Sequence, residues 1–306
     1  MYLTSGDVRS SFRQKTPGNI ITFKEQDPNT VEPDLTNRLP TNFRNKPTMA
    51  KYNKLAGKHV LVIGGSNGIG RGVVEGSIES GARVTLSGSS PQSAAKAVAE
   101  VKAAYPDAPL IGLSCDLSKE TVETDLDNLL TEAKNAQGQE IDHIVLTAGD
   151  PLIVMKPQDI TLEKIRKVAK IRFEMPIGKL ADRHLRKSPE TSLTISTGGI
   201  AERPAPGWSV TAFVATGLTG LTRNLALDLK PTRVNAVEPG PVDTGLWEAS
   251  GYTPEQKVAE LANWGAKLPT GRVGQVEDVA EAYLYLMKDK NATGEIVATR
   301  SGGNLI

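Results

Sequence analysis

The stretch His59-Val60-Leu61-Val62-Ile63-Gly64-Gly65-Ser66-Asn67-Gly68-Ile69-Gly70 decides the fold of this 306-residue chain. A β-branched apolar run ends in a glycine-rich turn, and a segment of helical period follows. Such glycines allow a tight turn and a close approach of the backbone to a pyrophosphate, which then rests on the first helix amides. The sequence therefore predicts a dinucleotide site at Gly64, Ser66, Asn67, Gly68, Ile69 and Gly70. The alternative is a purely structural turn.

Beyond this stretch, β-branched runs alternate with helical segments, as in parallel βαβ units. Strands are predicted at residues 59–64, 83–87, 110–115, 143–147, 192–196, 233–237 and 295–299. Helices are predicted at 71–80, 92–104, 121–137, 162–187, 210–229, 254–266 and 276–287. The expected fold class is α/β: a single domain with a doubly wound, parallel, seven-stranded Rossmann-like sheet. Its ligands should bind at the carboxyl ends of the strands.

Residues 1–48 differ in composition from the rest of the chain. They hold several prolines among Thr, Asn and mixed charges, with scattered apolar positions, and cannot build a core. We expect a flexible or extended N-terminal arm over 1–48 and a dinucleotide-binding domain over 49–306. Alternatively, the segment is an upstream extension before a true start at Met49, or it covers a partner subunit or the active site.

Composition excludes several classes of function. With 36 Lys+Arg against 35 Asp+Glu, the net charge is +1, which argues against nucleic-acid binding driven by charge. No apolar run approaches the roughly 18 residues that cross a bilayer, and the N-terminus lacks the pattern of a signal peptide. One cysteine, Cys115, and three separated histidines offer neither a disulfide nor a metal site. We expect a cytoplasmic protein without nucleic-acid or membrane partners.

The end of the second predicted strand bears on cofactor choice. A carboxylate there would bind the ribose of NAD and repel the 2'-phosphate of NADP. This chain has Ser89 and Ser90 instead, whose hydroxyls and amides can hold a phosphate. The sequence therefore favours NADP(H), although these serines can equally be residues that only shape a polar turn.

Over residues 54–306 the chain resembles the short-chain dehydrogenase/reductase family. The motifs that carry this are Ile63 to Gly70, Asp116-Leu117, Leu146-Thr147-Ala148-Gly149, and Arg233 to Thr244 with Pro239-Gly240-Pro241-Val242. The resemblance implies that Asp116 and Leu117 contact adenine and that Ala148, Gly149, Pro239 and Gly240 line the cofactor site. It also implies that the Val242 backbone meets the nicotinamide carboxamide and that Thr244 lies near the phosphates.

The same alignment shows a departure at the reacting end. The Tyr and Lys of the family pattern match Thr211 and Ala215, its Ser matches Thr197, and its Asn matches Arg172. Reducing a ketone builds negative charge on oxygen and needs a proton donor of lowered pKa, which the missing pair would supply. Reducing an iminium ion needs only a correctly placed hydride, so that substrate class is favoured.

The loop Glu202-Arg203-Pro204-Ala205-Pro206-Gly207-Trp208 sharpens the resemblance. Together with Arg172 it resembles a divergent fungal branch that contains the bifunctional reductase/Diels-Alderases of prenylated indole alkaloid pathways. The resemblance implies reduction of a cyclic iminium with NADPH, followed by a stereoselective [4+2] cyclisation. That branch has Asp where this chain has Ala205, so a role in proton handling at this position is not carried over.

Four residues are candidates for the chemistry. Arg172 can bond a substrate carbonyl or tune the cofactor pocket, or can be a surface or ion-paired Arg. Trp208 can stack on an indole or on the nicotinamide, or anchor its loop. Thr197 can bond substrate or satisfy nearby backbone. Asp150 can be an acid or base, or a turn residue before proline.

Two other functions compete with a reductase acting on a bulky apolar small molecule. The first is a redox-neutral cyclase that promotes a pericyclic reaction by orientation alone, and the second is a cofactor-sensing protein without chemistry. By resemblance, the helices predicted at 162–187 and 210–229 form subunit interfaces, so a homo-oligomer, a dimer or a tetramer, is expected.

Overall fold

A seven-stranded parallel sheet organises the residues that the computed structural model describes, 51–173 and 176–306; the predicted arm at 1–48 lies outside them. The strands are β1 (His59–Ile63), β2 (Arg83–Gly88), β3 (Leu110–Ser114), β4 (His143–Leu146), β5 (Ser192–Ser196), β6 (Arg233–Pro239) and β7 (Ile296–Thr299). They lie in the order β3-β2-β1-β4-β5-β6-β7, with every neighbouring pair parallel. The direction of winding reverses between β1 and β4, where a doubly wound sheet binds its ligand.

Helices cover both faces of the sheet. They are α1 (Gly68–Glu79), α2 (Pro91–Ala104), α3 (Val122–Gln137), α4 (Leu162–Phe173), α5 (Ile177–His184), α6 (Ser209–Asp228), α7 (Leu246–Ala249), α8 (Pro254–Lys267) and α9 (Val276–Lys288). Side chains alternate along each strand. In β1, Leu61 and Ile63 therefore join a core with α3, α5 and α6, while Val60 and Val62 join one with α1, α2 and α9.

The predicted fold class is confirmed, and so are the seven strands, with ends that differ by at most two residues. The single helix predicted at 162–187 is wrong. The chain forms α4 and α5 instead, and α5 begins after Pro176. Proline has no amide hydrogen and clashes with the preceding turn, so it cannot lie inside a continuous helix. Arg172, expected in mid-helix, lies one residue before the end of α4.

Two expected absences concern only the residues that the structure describes. Within 51–173 and 176–306, no helix is long and apolar enough to cross a membrane. The same ranges contain no group of His, Cys, Asp and Glu side chains arranged to hold a metal ion.

Candidate functional site

The turn between β1 and α1 forms a cradle of backbone at the carboxyl edge of the sheet. Gly64 has a φ of +91°, and a Cβ there would lie 2.8 Å from the Ala148 Cα. A Cβ at Gly70 would overlap the Gly64 carbonyl. The Asn67 side chain caps α1 by accepting a hydrogen bond from the Gly68 amide at 2.7 Å. Because these positions exclude side chains and present the amino end of a helix, the cradle fits a pyrophosphate.

The segment after β6 lies over this cradle. A Cβ at Gly68 would be 3.4 Å from the Thr244 Cβ, and one at Gly245 would be 2.7 Å from the Asn67 Nδ2. Val242 forms a parallel bridge with Gly274, and its carbonyl accepts a hydrogen bond from the Trp247 indole at 2.8 Å. Thr244 is thus brought beside the glycine turn, and the Val242 carbonyl already accepts a hydrogen bond within the protein.

The opposite end of the cradle holds the residues predicted to meet the ribose and adenine. Ser90 caps α2: its hydroxyl accepts from the Ser93 amide at 3.2 Å, and the Ser93 hydroxyl accepts from the Ser90 amide at 3.1 Å. Ser89 is exposed. Hydrogen bonds from the Ser118 hydroxyl and amide hold the pKa of Asp116 below its usual range. Leu117, the other predicted adenine contact, is buried.

Arg172 lies against Gly149 at the end of β4. A Cβ at Gly149 would overlap the Arg172 guanidinium, so a larger residue here would displace that side chain. Burial lowers the pKa of this guanidinium, and the nearby Asp150 carboxylate opposes that change. Among the described residues, its buried Nε has no hydrogen-bond partner. A buried donor without a partner is costly, and it is typical of a group that awaits a ligand.

Asp150 is buried and bound to the end of α4. Its two carboxylate oxygens accept from the Ile171 amide at 3.2 and 3.4 Å. Burial raises the pKa of Asp150, while this hydrogen bond and the Arg172 charge oppose the rise. The carboxylate therefore stabilises the helix turn that carries Arg172.

The hydroxyls at the matched positions are bound to the backbone. Thr197 donates to the Ala215 carbonyl at 2.7 Å, and Thr211 donates to the Ile153 carbonyl at 3.1 Å. Both threonines are buried, and so is Ala215. These bonds hold α6 to the segment after β5 and to the segment after β4.

Hydrogen bonds join the segment after β4 to the loop before Trp208 and to Ser250. The Met155 amide donates to the Gly207 carbonyl at 2.9 Å, and the Leu152 amide donates to the Ser250 hydroxyl at 2.9 Å. Gly207 has a φ of +82°, and a Cβ there would approach Val154 to 2.9 Å. Trp208 follows as the partly buried residue before α6.

A buried ion cluster near the site was missed by the sequence reasoning. Arg300, directly after β7, lies 3.2 Å from Glu238 in β6 and 2.7 Å from Glu202 in the loop after β5. Glu238 has no exposed surface. Its neighbours Pro239 and Gly240 were predicted to line the cofactor site. A charged residue at the carboxyl end of the last strand was the signal that could have pointed to Arg300.

Comparisons with known proteins agree with this geometry. The family model described as an SDR-like Rossmann domain matches residues 51–306. The short-chain dehydrogenase/reductase fsr5 of Gibberella fujikuroi is 41% identical over 273 residues, covering 85% of this chain and 99% of that protein. The short-chain dehydrogenase/reductase malC of Malbranchea aurantiaca is 40% identical over 264 residues, covering 84% and 98%.

A solved structure is similar over nearly the same length. The MalC reductase/Diels-Alderase from Malbranchea aurantiaca superposes with a TM-score of 0.76 at 39% identity, over 83% of this chain and 98% of that one. The relatives above are fungal proteins, and the family binds nicotinamide cofactors. The match over residues 51–306, the glycine cradle and the parallel sheet make this chain a member of the short-chain dehydrogenase/reductase family.

Proposed function

We propose that this protein is an NADP(H)-dependent reductase of secondary metabolism that acts on an iminium-type intermediate of an indole alkaloid. The observation that carries the proposal is the exchange at the reacting end. Thr211, whose hydroxyl donates to a backbone carbonyl, and Ala215 are both buried where the family pattern has Tyr and Lys. The Arg172 guanidinium, whose Nε has no hydrogen-bond partner among the described residues, lies beside Gly149. The similarity to a reductase/Diels-Alderase supports the same substrate class.

The absence of a proton donor favours a cationic acceptor. A ketone becomes an alkoxide on reduction, and a threonine hydroxyl that donates to a carbonyl neither stabilises nor protonates it well. An iminium carbon accepts a hydride and becomes a neutral amine, so no proton has to move. A buried Arg172 next to a cationic substrate would be repulsive, so we assign it to a carbonyl of the substrate or to the cofactor rather than to the iminium itself.

NADPH supplies the hydride when bound. The cradle at Gly64, Gly68 and Gly70 would hold its pyrophosphate, with Thr244 above it. Ser89, just before the amino end of α2, would meet the 2'-phosphate, because no carboxylate stands there to repel it. Asp116 and Leu117 would contact the adenine, and Ala148, Gly149, Pro239, Gly240 and Val242 would border the nicotinamide, with Ser66, Asn67 and Ile69 in the turn.

A coupled [4+2] cyclisation is the second part of the proposal. Trp208 and the loop tied to Met155 would hold the reduced product in a near-attack conformer, which lowers a pericyclic barrier without any charged catalyst. Ala205 supports this limited role, because this chain offers no carboxylate at that position. The alternative function is a redox-neutral cyclase on a retained Rossmann scaffold.

The first test is a calorimetric titration with NADPH, NADP, NADH and NAD, followed by NADPH oxidation with a 2-methyl-3,4-dihydroisoquinolinium salt as cyclic iminium probe. We expect selective NADP(H) binding and NADPH consumption with the iminium but not with the matching ketone, 1-tetralone. Ser89→Asp should reverse the cofactor preference, since its carboxylate would repel the 2'-phosphate. Binding of NADPH without consumption by any iminium, or no binding, would contradict the reductase and favour the cyclase.

The partners and location remain part of the proposal. We expect a bulky apolar small-molecule substrate, no nucleic-acid or membrane partner, and a cytoplasmic homo-oligomer, a dimer or a tetramer. The unpaired Cys115 is consistent with a reducing compartment. Exposed apolar side chains on α6, Leu221 and Leu227, support a subunit interface on that helix.

A further inference from the structure

Arg300 connects three segments at the carboxyl edge of the sheet. It follows β7, and the Gly240 amide donates to the Thr299 carbonyl beside it at 2.9 Å. A Cβ at Gly240 would lie 2.9 Å from the Arg300 Cα, and one at Gly199 would lie 3.3 Å from its Cδ. The Arg300 side chain thus packs against Gly199, at the start of the loop that leads to Trp208, and the Arg300 backbone packs against Gly240 in the predicted cofactor turn.

Arg300 and Glu238 make few hydrogen bonds with the described residues. Both carboxylate oxygens of the fully buried Glu238 lack a hydrogen-bond partner among the described residues, as do the buried Nε and Nη1 of Arg300. Nη2 lies 3.2 Å from Glu238 and 2.7 Å from Glu202. A buried carboxylate with so few hydrogen bonds is stabilised chiefly by its counter-ion, and hence by Arg300.

We propose that Arg300 is a positioning residue that holds the substrate loop, residues 197–208, against the Pro239-Gly240 turn through Glu202 and Glu238. This proposal rests on the proposed function in one respect, namely that the loop borders the substrate. At its other end the loop is fixed by the bond between Gly207 and Met155. Arg300 supplies the second anchor, so that Trp208 is held from both sides.

Arg300 reaches both carboxylates through one guanidinium nitrogen, Nη2. The Glu202 side chain is 61% exposed and Arg300 is 9% exposed. A pair so open at one end stabilises the fold little, but it limits the motion of a short loop.

Hydrogen–deuterium exchange of the loop amides tests the proposal without any substrate. The amides of Ala201, Glu202 and Arg203 donate to Gly198 and Gly199 carbonyls at 2.9, 3.2 and 3.0 Å, so they report loop opening. In Arg300→Met we expect these amides to exchange at least about tenfold faster, with a smaller increase in Arg300→Lys and in Glu202→Gln. Arg272→Met, which removes a comparable ion pair with Asp278 outside the loop, is the matched control.

A second variant separates the effect on the loop from a loss of stability. Arg300→Met alone leaves Glu238 buried without its counter-ion, so its thermal midpoint should fall. The double variant Arg300→Met/Glu238→Gln should recover the midpoint but keep the fast loop exchange. Wild-type loop exchange in the double variant would overturn the proposal, as would a loop rate in Arg272→Met equal to that in Arg300→Met.

Kinetics then separate positioning from mere stability. With NADPH and the dihydroisoquinolinium probe, Glu202→Gln should raise KM for the iminium at least about threefold, with NADPH affinity unchanged, and kcat should change less than KM. An unchanged KM in an active enzyme would contradict the proposal. If the wild type does not oxidise NADPH, the proposed function fails while the exchange experiment still decides the role of Arg300.

Discussion

At the scale of single residues, the site depends on where side chains are missing as much as on where they are present. Gly149 leaves the space that the Arg172 guanidinium fills. Thr211 and Thr197 use their hydroxyls on backbone carbonyls. Since these hydroxyls are committed to structure while Arg172 Nε has no hydrogen-bond partner among the described residues, variants can separate the contribution of Arg172 from that of the threonines.

Gly149→Ala should therefore reproduce the effect of Arg172→Gln. The added methyl group would displace the guanidinium, so both variants should lose at least about tenfold in kcat/KM for the iminium probe, or about 1.4 kcal/mol. Because the two changes remove one interaction, the double variant should lose little more than either single variant. Additive losses would disprove the link. Gly220→Ala, where a Cβ meets nothing within 4 Å, is the control.

Thr211→Val should lower stability and leave turnover nearly unchanged. The variant loses the hydroxyl bond to Ile153 and leaves that carbonyl without this donor, which should lower the free energy of unfolding by about 1–3 kcal/mol. Thr219→Val, whose hydroxyl bonds an exposed helix carbonyl, should cost less. Urea unfolding measures both. A tenfold loss of kcat in a folded Thr211→Val enzyme would show instead that this hydroxyl takes part in the reaction.

At the scale of elements, the sheet carries polar side chains at its amino edge. His143 at the start of β4 is buried and bonds Ser192 of β5 at 2.9 Å. Asp142, just before it, accepts from the His59 amide at 3.0 Å and pairs with Arg186 at 2.7 Å. These bonds join neighbouring strands at the edge opposite the site, so they affect stability rather than chemistry.

His143 should make the fold sensitive to acid. Burial lowers the pKa of His143 to about 3, whereas an exposed histidine titrates near about 6.5. The contribution of neutral His143 to the free energy of unfolding is fully present above the pKa of the unfolded state. It is lost as the pH falls towards the pKa of the folded state. From about pH 7 to about pH 5, the free energy of unfolding should fall by about 2 kcal/mol through this group alone.

Urea unfolding at the two pH values, in the wild type and in His143→Gln, measures this term. The variant should show a correspondingly smaller fall, with any remainder due to other groups such as His59, whose pKa burial also lowers. An equal fall in both proteins would contradict the assignment.

At the scale of the whole molecule, α6 carries more exposed large apolar side chains than α8. Leu227 on α6 and Val258 on α8 are both 69% exposed. If α6 forms a subunit interface, sedimentation velocity should show a dimer or tetramer for the wild type and dissociation for Leu227→Glu. Val258→Glu should leave the assembly intact. A concentration-independent monomer, or equal effects of the two variants, would refute an interface on α6.

What the sequence by itself determined was the parallel sheet and the glycine turn, while the match of Thr211 and Ala215 to the family's Tyr and Lys stays a prediction. These features are local: a strand is predicted from a β-branched run, and the turn at Gly64 needs glycine because its φ is +91°. The break at Pro176 is also a local feature. The sequence pattern predicts one helix there because the helical spacing of apolar residues continues on both sides of the proline.

Only the tertiary structure decided which polar groups meet. The contact of Arg172 with Gly149, the commitment of Thr211 to Ile153, and the Arg300 cluster join residues from 23 to 98 positions apart, counted as 172 − 149 and 300 − 202. No local pattern encodes such pairs, because they depend on the strand order that brings β4, β5, β6 and β7 to one edge. The sequence specified the glycine turn between β1 and α1, and packing specified which polar side chains meet.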